Sequence, residues 1–377
     1  MSETPLLFQP LKLRELTLAN RVIVAPMCQY SAVDGCVQPW HTVHLGQLAL
    51  AGAGMLIVEA TAVEPEGRIT PGDVGVYDDA TEAAMAALLA DLRRLNPLAP
   101  PVMCLQIAHA GRKASSHSPW ETGQQIPLDQ GGWVARAPSA VPHLPGELPP
   151  VAMNPQDLDA LLERFIDTTR RAHRLGFDAV EMHAAHGYLL HQFLSPLSNL
   201  RDDEYGGSLE NRMRYPLRLL AAMREVWPAD KPLGVRLSAT DWDPASTWDL
   251  DESVEFARRC EALGADWIDA SSGGVSRNQK IALGPGYQVP FAERIHGAVR
   301  IPVMAVGLIT EPAQAEPILA SGQADLIALA RPFLYNPRGV WHAAAELGAH
   351  VTAPVQYWRC EPQTAKGLFG KVAIGMR

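Results

Sequence analysis

The chain repeats one pattern of hydrophobic and polar positions along most of its length. Short runs rich in Val, Ile and Ala are each bounded by turn residues and followed by a stretch of helical periodicity. A continuous apolar run of this kind is typical of a parallel strand that is buried on both faces. Eight such runs predict an α/β fold, a closed (β/α)8 TIM barrel. The predicted strands are residues 21–27, 55–63, 102–108, 178–184, 233–239, 267–272, 302–307 and 326–331.

Two local patterns add detail to this barrel. Asn154 suits the N-cap of a helix and Pro155 its first turn, and the apolar positions that follow form one stripe. At the other end of the chain, residues 7–11 and 16–21 flank a short polar turn, which predicts a hairpin that closes the barrel floor. The residues of the helical stripe are Leu158, Leu161, Leu162, Phe165 and Ile166.

Three segments do not fit the alternation of strands and helices. Residues 111–154 are rich in Pro, Ser and Gly and are too long for an ordinary connection, so they predict an excursion after the third strand that covers the site. A second insertion spans residues 187–212, and residues 353–377 form a tail. Because no repeat or linker indicates a second domain, we predict one domain over residues 1–377.

Composition and charge narrow the function classes. Apolar residues make up 47% of the 377 residues and charged residues 19%, which indicates a large buried core. The formal net charge of −9 and the lack of Lys/Arg runs argue against nucleic acid and membrane surfaces and favour a small-molecule partner. Five cysteines without a C-x-x-C pair indicate no disulfide framework, zinc site or iron–sulfur cluster. Without a signal-peptide pattern or an apolar run of 18 residues, we expect a cytoplasmic location.

Polar residues at the carboxyl ends of the predicted strands are the candidates for chemistry, because active sites of such barrels lie there. At the end of strand seven, Gly307 allows backbone N–H groups to approach an anion, and at the end of strand eight Arg331 can bind that anion with two hydrogen bonds. Together these residues indicate a phosphate site. Residues 271–274, at strand six, add two more glycines; all of these glycines also fit ordinary tight turns. The other candidates are Cys28, Gln106, His109, His183, His186 and Arg236.

The residue types leave several functions open for these positions. His183 and His186 suit core residues, metal ligands together with His109, or paired donors to a substrate oxygen. Arginine is rarely buried without an anion, so Arg236 forms either a structural ion pair or the partner of the anionic N1 and O2 of a reduced flavin. The amide of Gln106 matches the alternating donors and acceptors of a flavin ring.

Two long stretches give the sequence a resemblance to a known family. Residues 181–196 read EMHAAHGYLLHQFLSP and residues 198–212 read SNLRDDEYGGSLENR. The supporting stretches, in the expected order, are NRVIVAPMCQY at residues 20–30, VEATAV at 58–63, QIAHAGRK at 106–113 and PGYQV at 285–289. The chain resembles the Old Yellow Enzyme family, specifically its thermophilic-like branch of bacterial xenobiotic reductases and ene-reductases.

The resemblance implies a barrel that binds FMN non-covalently across its mouth and uses NADPH or NADH as reductant. By the same resemblance, Cys28 lies near flavin N5 and O4 and tunes the cofactor, and Lys113 lies close to the flavin's surroundings. Arg331, Gly307 and Gly273 hold the phosphate. The residues implied around the isoalloxazine ring are Pro26, Met27, Cys28, Ala60, Gln106 and Arg236.

The resemblance also implies the chemistry. Hydride passes from flavin N5 to the β-carbon of an activated alkene, while His183 and His186 donate hydrogen bonds to the substrate oxygen. Tyr188 supplies the α-proton from the opposite face, which gives trans addition of hydrogen. The implied substrate-binding residues are Cys28, Tyr30, His183, His186, Tyr188, Trp358 and Arg359.

The tail segment PVQYWR at residues 354–359 matches the same branch, whose equivalent aromatic and arginine reach toward an active site, often that of a neighbouring subunit. This implies a homodimer or homotetramer. The segment from residue 360 to residue 377 continues beyond the end of many relatives and has no assigned role. The alternative function is a metal-dependent barrel hydrolase that uses His109, His183 and His186.

Overall fold

Eight parallel strands close into a barrel in the computed structural model, which describes residues 4–96, 99–370 and 372. The strands are β1 (Leu11–Leu13), β2 (Leu16–Leu18), β3 (Val22–Val24), β4 (Met55–Ala62), β5 (Met103–Ala108), β6 (Arg136–Ala137), β7 (Val151–Ala152), β8 (Ala179–Ala184), β9 (Leu233–Ser238), β10 (Trp267–Ser271), β11 (Val303–Val306) and β12 (Leu326–Leu329). The barrel order is β3-β4-β5-β8-β9-β10-β11-β12, with β12 paired back to β3.

The helices cover the outside of this barrel and alternate with its strands. Nearly every position of the barrel strands is buried, which is why their sequences read as continuous apolar runs. All eight predicted strands are therefore confirmed, and every one of them is shorter than predicted by one or a few residues. The helices are α1 (Pro39–Ala49), α2 (Asp79–Leu95), α3 (Pro155–Arg174), α4 (Leu189–Leu194), α5 (Leu209–Val226), α6 (Leu250–Ala262), α7 (Val289–His296), α8 (Pro312–Ala320), α9 (Arg331–Tyr335) and α10 (Gly339–Leu347).

The predicted amino-terminal hairpin is present as the antiparallel pair β1 and β2, whose buried Leu13 and Leu18 pack into the barrel floor. The first arm was predicted too early in the chain. Residues Leu6–Phe8 form a short 3-10 helix instead, because the backbone N–H groups of Leu6 and Leu7 each donate to the Glu316 carboxylate of α8, both at 2.8 Å. These bonds hold the segment on α8 and away from strand pairing.

The helix predicted after residue 154 is α3, and its local signals act as expected. The side chain of Asn154 accepts a hydrogen bond from the N–H of Asp157 at 2.9 Å, and Pro155 begins the helix. The predicted stripe is buried or half-buried, with Leu158 and Phe165 at the centre of the core. Sequence and structure therefore agree on the cap, the first residue and the buried stripe of this helix.

The excursion after β5 runs from His109 to the cap of α3. It contains the two-residue parallel strands β6 and β7 and begins with a 3-10 turn at Gly111–Lys113. The Arg112 guanidinium donates to the Val275 carbonyl at 2.7 Å, which ties the start of the excursion to the loop after β10. The start of the excursion therefore lies at the carboxyl ends of the strands, and its role as a cover of the site stays a prediction.

The tail folds back against α10 of the same chain. Leu368 and Phe369 are buried, the Phe369 ring lies 5.2 Å from the Trp341 ring, and the Val351 N–H donates to the Leu368 carbonyl at 2.9 Å. Residues 371 and 373–377 of the predicted extension lie outside the described residues.

Among the helices that the structure describes, none combines the length and the apolar character needed to cross a membrane. The cytoplasmic location stays a prediction.

Candidate active site

A cavity of about 690 Å³ opens at the carboxyl ends of β9, β10, β11 and β12. This volume lies within the range of roughly 300–1,000 Å³ that is usual for small-molecule sites. Four of the predicted strand-end positions meet here, because parallel strands of a barrel all deliver their last residues to the same rim. The cavity is lined among others by Arg236, Ser271, Gln288, Gly307, Ala330 and Arg331.

Arg236 places a positive charge in the wall of this cavity. Its side chain is 9% exposed and its Nε lies 3.1 Å from the Asp269 carboxylate, but the geometry is not that of a hydrogen bond. Burial raises the pKa of Asp269 and the Arg236 charge opposes that rise. The ion pair that was predicted for Arg236 exists. The Nε atom of Arg236 nevertheless has no hydrogen-bond partner among the described residues. A buried arginine in this state is suited to an anionic ligand.

A second buried carboxylate, that of Glu181, orients Gln106. The side-chain NH₂ of Gln106 donates to Glu181 Oε1 at 2.8 Å, and the Trp267 indole donates to Glu181 Oε2 at 3.1 Å. Burial, followed by repulsion from Asp269, raises the pKa of Glu181. Because its NH₂ group is held by Glu181, Gln106 keeps its carbonyl oxygen as an acceptor. Sequence reasoning missed Glu181 and Asp269, although acidic residues inside fully buried strands are a signal that it could have used.

His183, near the end of β8, and His186, just after the strand, lie close together, with ring centres 5.2 Å apart. His183 Nδ1 accepts a hydrogen bond from the Ala185 N–H at 3.3 Å, so a neutral ring carries its proton on Nε2. His186 Nε2 lies 2.7 Å from the Ser271 hydroxyl, and its backbone N–H donates to Ser238 Oγ at 2.9 Å. Burial, and then the charge of Arg236, lowers the pKa of both imidazoles well below the usual value. Both rings are therefore neutral, and each carries one N–H.

Tyr188 completes a cluster with these rings. Its ring centre lies 5.1 Å from that of His183, and its backbone N–H donates to the Ala185 carbonyl at 3.1 Å at the start of α4. Burial, and then the nearby Cys28 and Tyr30, raises the pKa of the phenol well above the usual value. The hydroxyl therefore keeps its proton at neutral pH and is available as a donor.

The loop after β3 carries Pro26, Met27, Cys28 and Tyr30. A buried carboxylate holds it, because Glu59 Oε2 accepts the Gln29 N–H at 2.9 Å. Burial, followed by Asp73 and Glu59, raises the pKa of the Cys28 thiol, which stays protonated. Tyr30 has a left-handed φ of 50°, and its ring lies 5.6 Å from Trp120 of the excursion. Ala60 lies on the adjacent strand β4, beside Glu59.

Gly307 and Arg331 lie together in the lining of the cavity, as the phosphate hypothesis requires. Gly307 has a φ of 110°, and a Cβ there would lie 2.5 Å from Gln288 Nε2, which donates to the Val306 carbonyl at 2.9 Å. No hydrogen bond or ion pair of the Arg331 guanidinium is seen within the described part of the chain. Gly273 lies outside this lining, and its N–H donates to the Thr240 carbonyl at 2.8 Å.

Trp358 and Arg359 do not line this cavity. The Trp358 indole donates to the Ala353 carbonyl of its own tail at 3.1 Å, and its ring packs on the core of its own chain. Arg359 is exposed on the same short turn, Val355–Cys360. Within one chain they therefore take no part in the cluster formed by His183, His186 and Tyr188.

The residues of the hydrolase alternative do not converge. His109 Nε2 lies 3.1 Å from Glu64 Oε1, and its Nδ1 accepts the Gly111 N–H at 2.9 Å, so both ring nitrogens have partners. Over residues 4–96, 99–370 and 372, no group of three or more His, Cys, Asp or Glu side chains is arranged to hold a metal ion. The predicted use of His109, His183 and His186 by a metal-dependent hydrolase is not supported.

Comparisons with known proteins agree with this geometry. A family model described as the NADH:flavin oxidoreductase / NADH oxidase family matches residues 6–348. An NADPH dehydrogenase of Geobacillus thermodenitrificans is 43% identical, over 94% of this chain and 98% of that protein. Morphinone reductase in complex with tetrahydroNAD has a TM-score of 0.74 at 28% identity, over 96% of this chain and 94% of that one. A 2-naphthoyl-CoA reductase has a TM-score of 0.78 at 24% identity; this chain spans 51% of it, and the likeness concerns the fold alone.

Proposed function

Because the chain belongs to the NADH:flavin oxidoreductase / NADH oxidase family, we propose that it uses NAD(P)H to reduce carbon–carbon double bonds activated by a carbonyl or nitro group. The predicted Old Yellow Enzyme family, the barrel and the class of NADPH dehydrogenase are confirmed, as is FMN as cofactor. The observation that supports the alkene specificity is the cluster of His183, His186 and Tyr188, three neutral groups in ring contact, of which His186 reaches Ser271 in the lining of the cavity.

The described residues fit FMN. The Arg236 guanidinium, whose Nε has no hydrogen-bond partner, would face the pyrimidine edge of the ring, and the Gln106 carbonyl oxygen would accept a ring N–H. Pro26, Met27 and Cys28 would contact the ring from the loop after β3, and Ala60 from β4. The phosphate would lie at Gly307 and Arg331, with Gly273 on the next loop.

FMN held by these residues would supply the hydride-transfer chemistry, with NAD(P)H as the source of the hydride and the β-carbon of the substrate as its acceptor. His183 and His186 donate hydrogen bonds to the substrate oxygen as negative charge develops there. These donors are preorganised, since Ala185 holds one ring and Ser271 the other. If Ser271 donates to His186 Nε2, the proton of that ring is on Nδ1. Both neutral rings then present one N–H without a change of protonation state.

Tyr188 acts as the general acid that protonates the α-carbon. Its raised pKa keeps the phenol protonated until charge develops on the substrate, and its ring lies against His183. Tyr30 and Cys28 border the substrate from the loop after β3. Trp358 and Arg359 take part only if a second copy of the chain brings them to the site, which is consistent with the proposed homodimer or homotetramer.

Purification and stopped-flow measurement test this function. We expect a yellow protein whose flavin absorbance is bleached by NAD(P)H without oxygen and restored by an activated alkene. Cyclic enones, maleimides, quinones and nitroalkenes form the panel, and their order of rates identifies the substrate class. A protein that NAD(P)H reduces but that no member of the panel re-oxidises contradicts the proposal.

Replacing Cys28 by alanine is expected to shift the reduction potential of the bound flavin. The protonated thiol is a polarisable neighbour in a loop that Glu59 holds in place, and alanine removes it without altering that anchor. A potentiometric titration with a reference dye measures the shift. Cys260, buried in α6, is the matched control, since its replacement by alanine leaves the potential unchanged. A curve for the Cys28 variant that superimposes on wild type contradicts the tuning role.

Gly307→Ala is expected to weaken FMN binding at least about tenfold, or ~1.4 kcal/mol. A Cβ at this position would lie 2.5 Å from Gln288 Nε2, and a φ of 110° is unfavourable for alanine. Quenching of free FMN fluorescence by the apoprotein measures the Kd. Gly284→Ala is the control, because a Cβ there meets nothing within 4 Å. Equal affinities of the two variants contradict the assignment of Gly307 to the phosphate.

A further inference from the structure

The ammonium group of Lys113 connects three parts of the site that the mechanism so far treats separately. It donates to the His186 carbonyl at 2.9 Å and to the Gly274 carbonyl at 3.3 Å. It also lies 4.8 Å from the centre of the Tyr188 ring. Lys113 ends the short 3-10 turn Gly111–Lys113, whose first N–H donates to His109, so the turn has little freedom. The side chain therefore holds a positive charge against the ring of the general acid.

The two carbonyl groups that bind Lys113 belong to loops in close contact. His186 has a φ of 59° and Gly187 one of 72°, and a Cβ on Gly274 would lie 2.5 Å from the His186 backbone. A Cβ on Gly187 would lie 2.2 Å from the Gly274 carbonyl oxygen. These loops leave the two carbonyls no room to separate. The ammonium group is consequently held by two fixed acceptors in its position near Tyr188.

The surroundings of Lys113 contain several ionisable groups. Burial, and then repulsion from Arg112, lowers the pKa of Lys113 to about 8. The Lys113 charge in turn helps to lower the pKa values of His143, His183 and His186. Neither cause of the Lys113 shift is a carboxylate. The groups that face it are Arg112 on its own turn, His143 of the excursion, His183 of β8, and His186 and Tyr188 of the loop after β8.

We propose that Lys113 is a positioning residue for proton transfer, whose ammonium group stabilises the negative charge that develops on Tyr188 as this phenol gives its proton to the substrate carbon. The inference rests on the proposed function, since it concerns the same step. In that step the O–H bond of Tyr188 breaks, a C–H bond forms at the α-carbon, and the electron pair of the O–H bond stays on the phenol oxygen. A cation over an aromatic face in a site that excludes water stabilises this charge without reorganisation.

The pH dependence has a definite sign. Lys113 is a cation below its pKa of about 8 and neutral above it, so the contribution is present at pH 7 and lost as the pH rises through that value. We expect the rate of re-oxidation by an enone to fall above pH ~8 in the wild type. Reduction by NAD(P)H needs no proton from Tyr188, so its rate is expected to lack this decrease.

The experiment compares Lys113→Met and Lys113→Arg with the wild type in anaerobic stopped-flow, with each half-reaction followed by flavin absorbance. We expect Lys113→Met to slow re-oxidation by 2-cyclohexenone about thirtyfold at pH 7 and to lose the decrease above pH 8. Lys113→Arg, which stays charged, is expected to recover rate and to extend the plateau to higher pH. Lys366→Met, on the exposed tail, is the control and is expected to match wild type.

A double-mutant comparison separates a role through Tyr188 from a general structural role. If Lys113 acts through the phenol, Lys113→Met slows re-oxidation less than about threefold when Tyr188 is already phenylalanine. An equal factor in both backgrounds, or an unchanged pH profile in Lys113→Met, overturns the inference. Failure of the proposed function is a different result, because the wild type itself would then reduce no activated alkene.

Discussion

Tyr188→Phe is expected to slow the re-oxidation of the reduced enzyme by an enone roughly 10²–10⁴-fold. The phenol is the protonated group beside His183, and phenylalanine keeps the ring and its contacts while it removes the proton. The variant is expected to bind FMN and to be reduced by NAD(P)H at the wild-type rate, because neither step takes a proton from Tyr188. Single-turnover stopped-flow of the two half-reactions measures the difference.

Ferricyanide provides the control for this variant, since it accepts electrons without a proton. Re-oxidation by ferricyanide is expected to be equal in wild type and Tyr188→Phe, which shows that the flavin remains accessible. A second control is Tyr357→Phe, a ring on the tail beside Trp341. Wild-type enone turnover in Tyr188→Phe contradicts the general-acid assignment.

His183→Ala is expected to lose about a hundredfold in the rate of alkene reduction, or ~3 kcal/mol of transition-state stabilisation. The Ala185 N–H holds Nδ1 of this ring, so the Nε2 proton is committed to the substrate side, and alanine removes that donor. FMN content is expected to be unchanged, because the cavity walls at Gly307 and Arg331 are distant in the chain and intact. Steady-state kcat with an enone, together with the flavin-to-protein absorbance ratio, measures both effects.

Two further variants test this prediction in case His183→Ala also disturbs the structure of the site. His183→Asn retains a donor and more of the volume, and is expected to recover part of the rate. His117→Ala, on a partly exposed histidine of the excursion, is the control. If His183→Ala reduces alkenes at the wild-type rate with a full complement of FMN, His183 does not bind the substrate oxygen.

The barrel could be predicted from local patterns because each buried strand has an apolar sequence of its own. Strands such as Leu233–Ser238 and Trp267–Ser271 are covered on both faces, so their residues are apolar without interruption, and the helices between them carry a one-sided stripe. The strand-end candidates follow from the same rule, because all parallel strands bring their carboxyl ends to one rim. The meeting of Arg236, Gly307 and Arg331 around one cavity was therefore predictable from order along the chain.

The resemblance to a known family contributed more than the residue patterns to the site itself. From the residue types alone, His183 and His186 fitted a core, a metal site or a substrate site, and the core was the favoured interpretation. The long stretch at residues 181–196 selected the substrate site by resemblance, and in the structure the His183 ring contacts both the His186 ring and the Tyr188 ring. Periodicity contains no information of this kind, because a buried strand such as β8 fits His183 as a core residue and His186 lies after the strand has ended.

By itself the sequence determined the eight strand–helix units, the cap of α3 and the set of polar residues at the rim. Only the tertiary structure decided which of those residues touch. Ser271 meets His186 across 85 residues, Trp267 meets Glu181 across 86, and Lys113 reaches His186 across 73. Such contacts depend on the register between strands and on the path of long loops, and these are settled by packing of the whole barrel, which no local run of residues encodes.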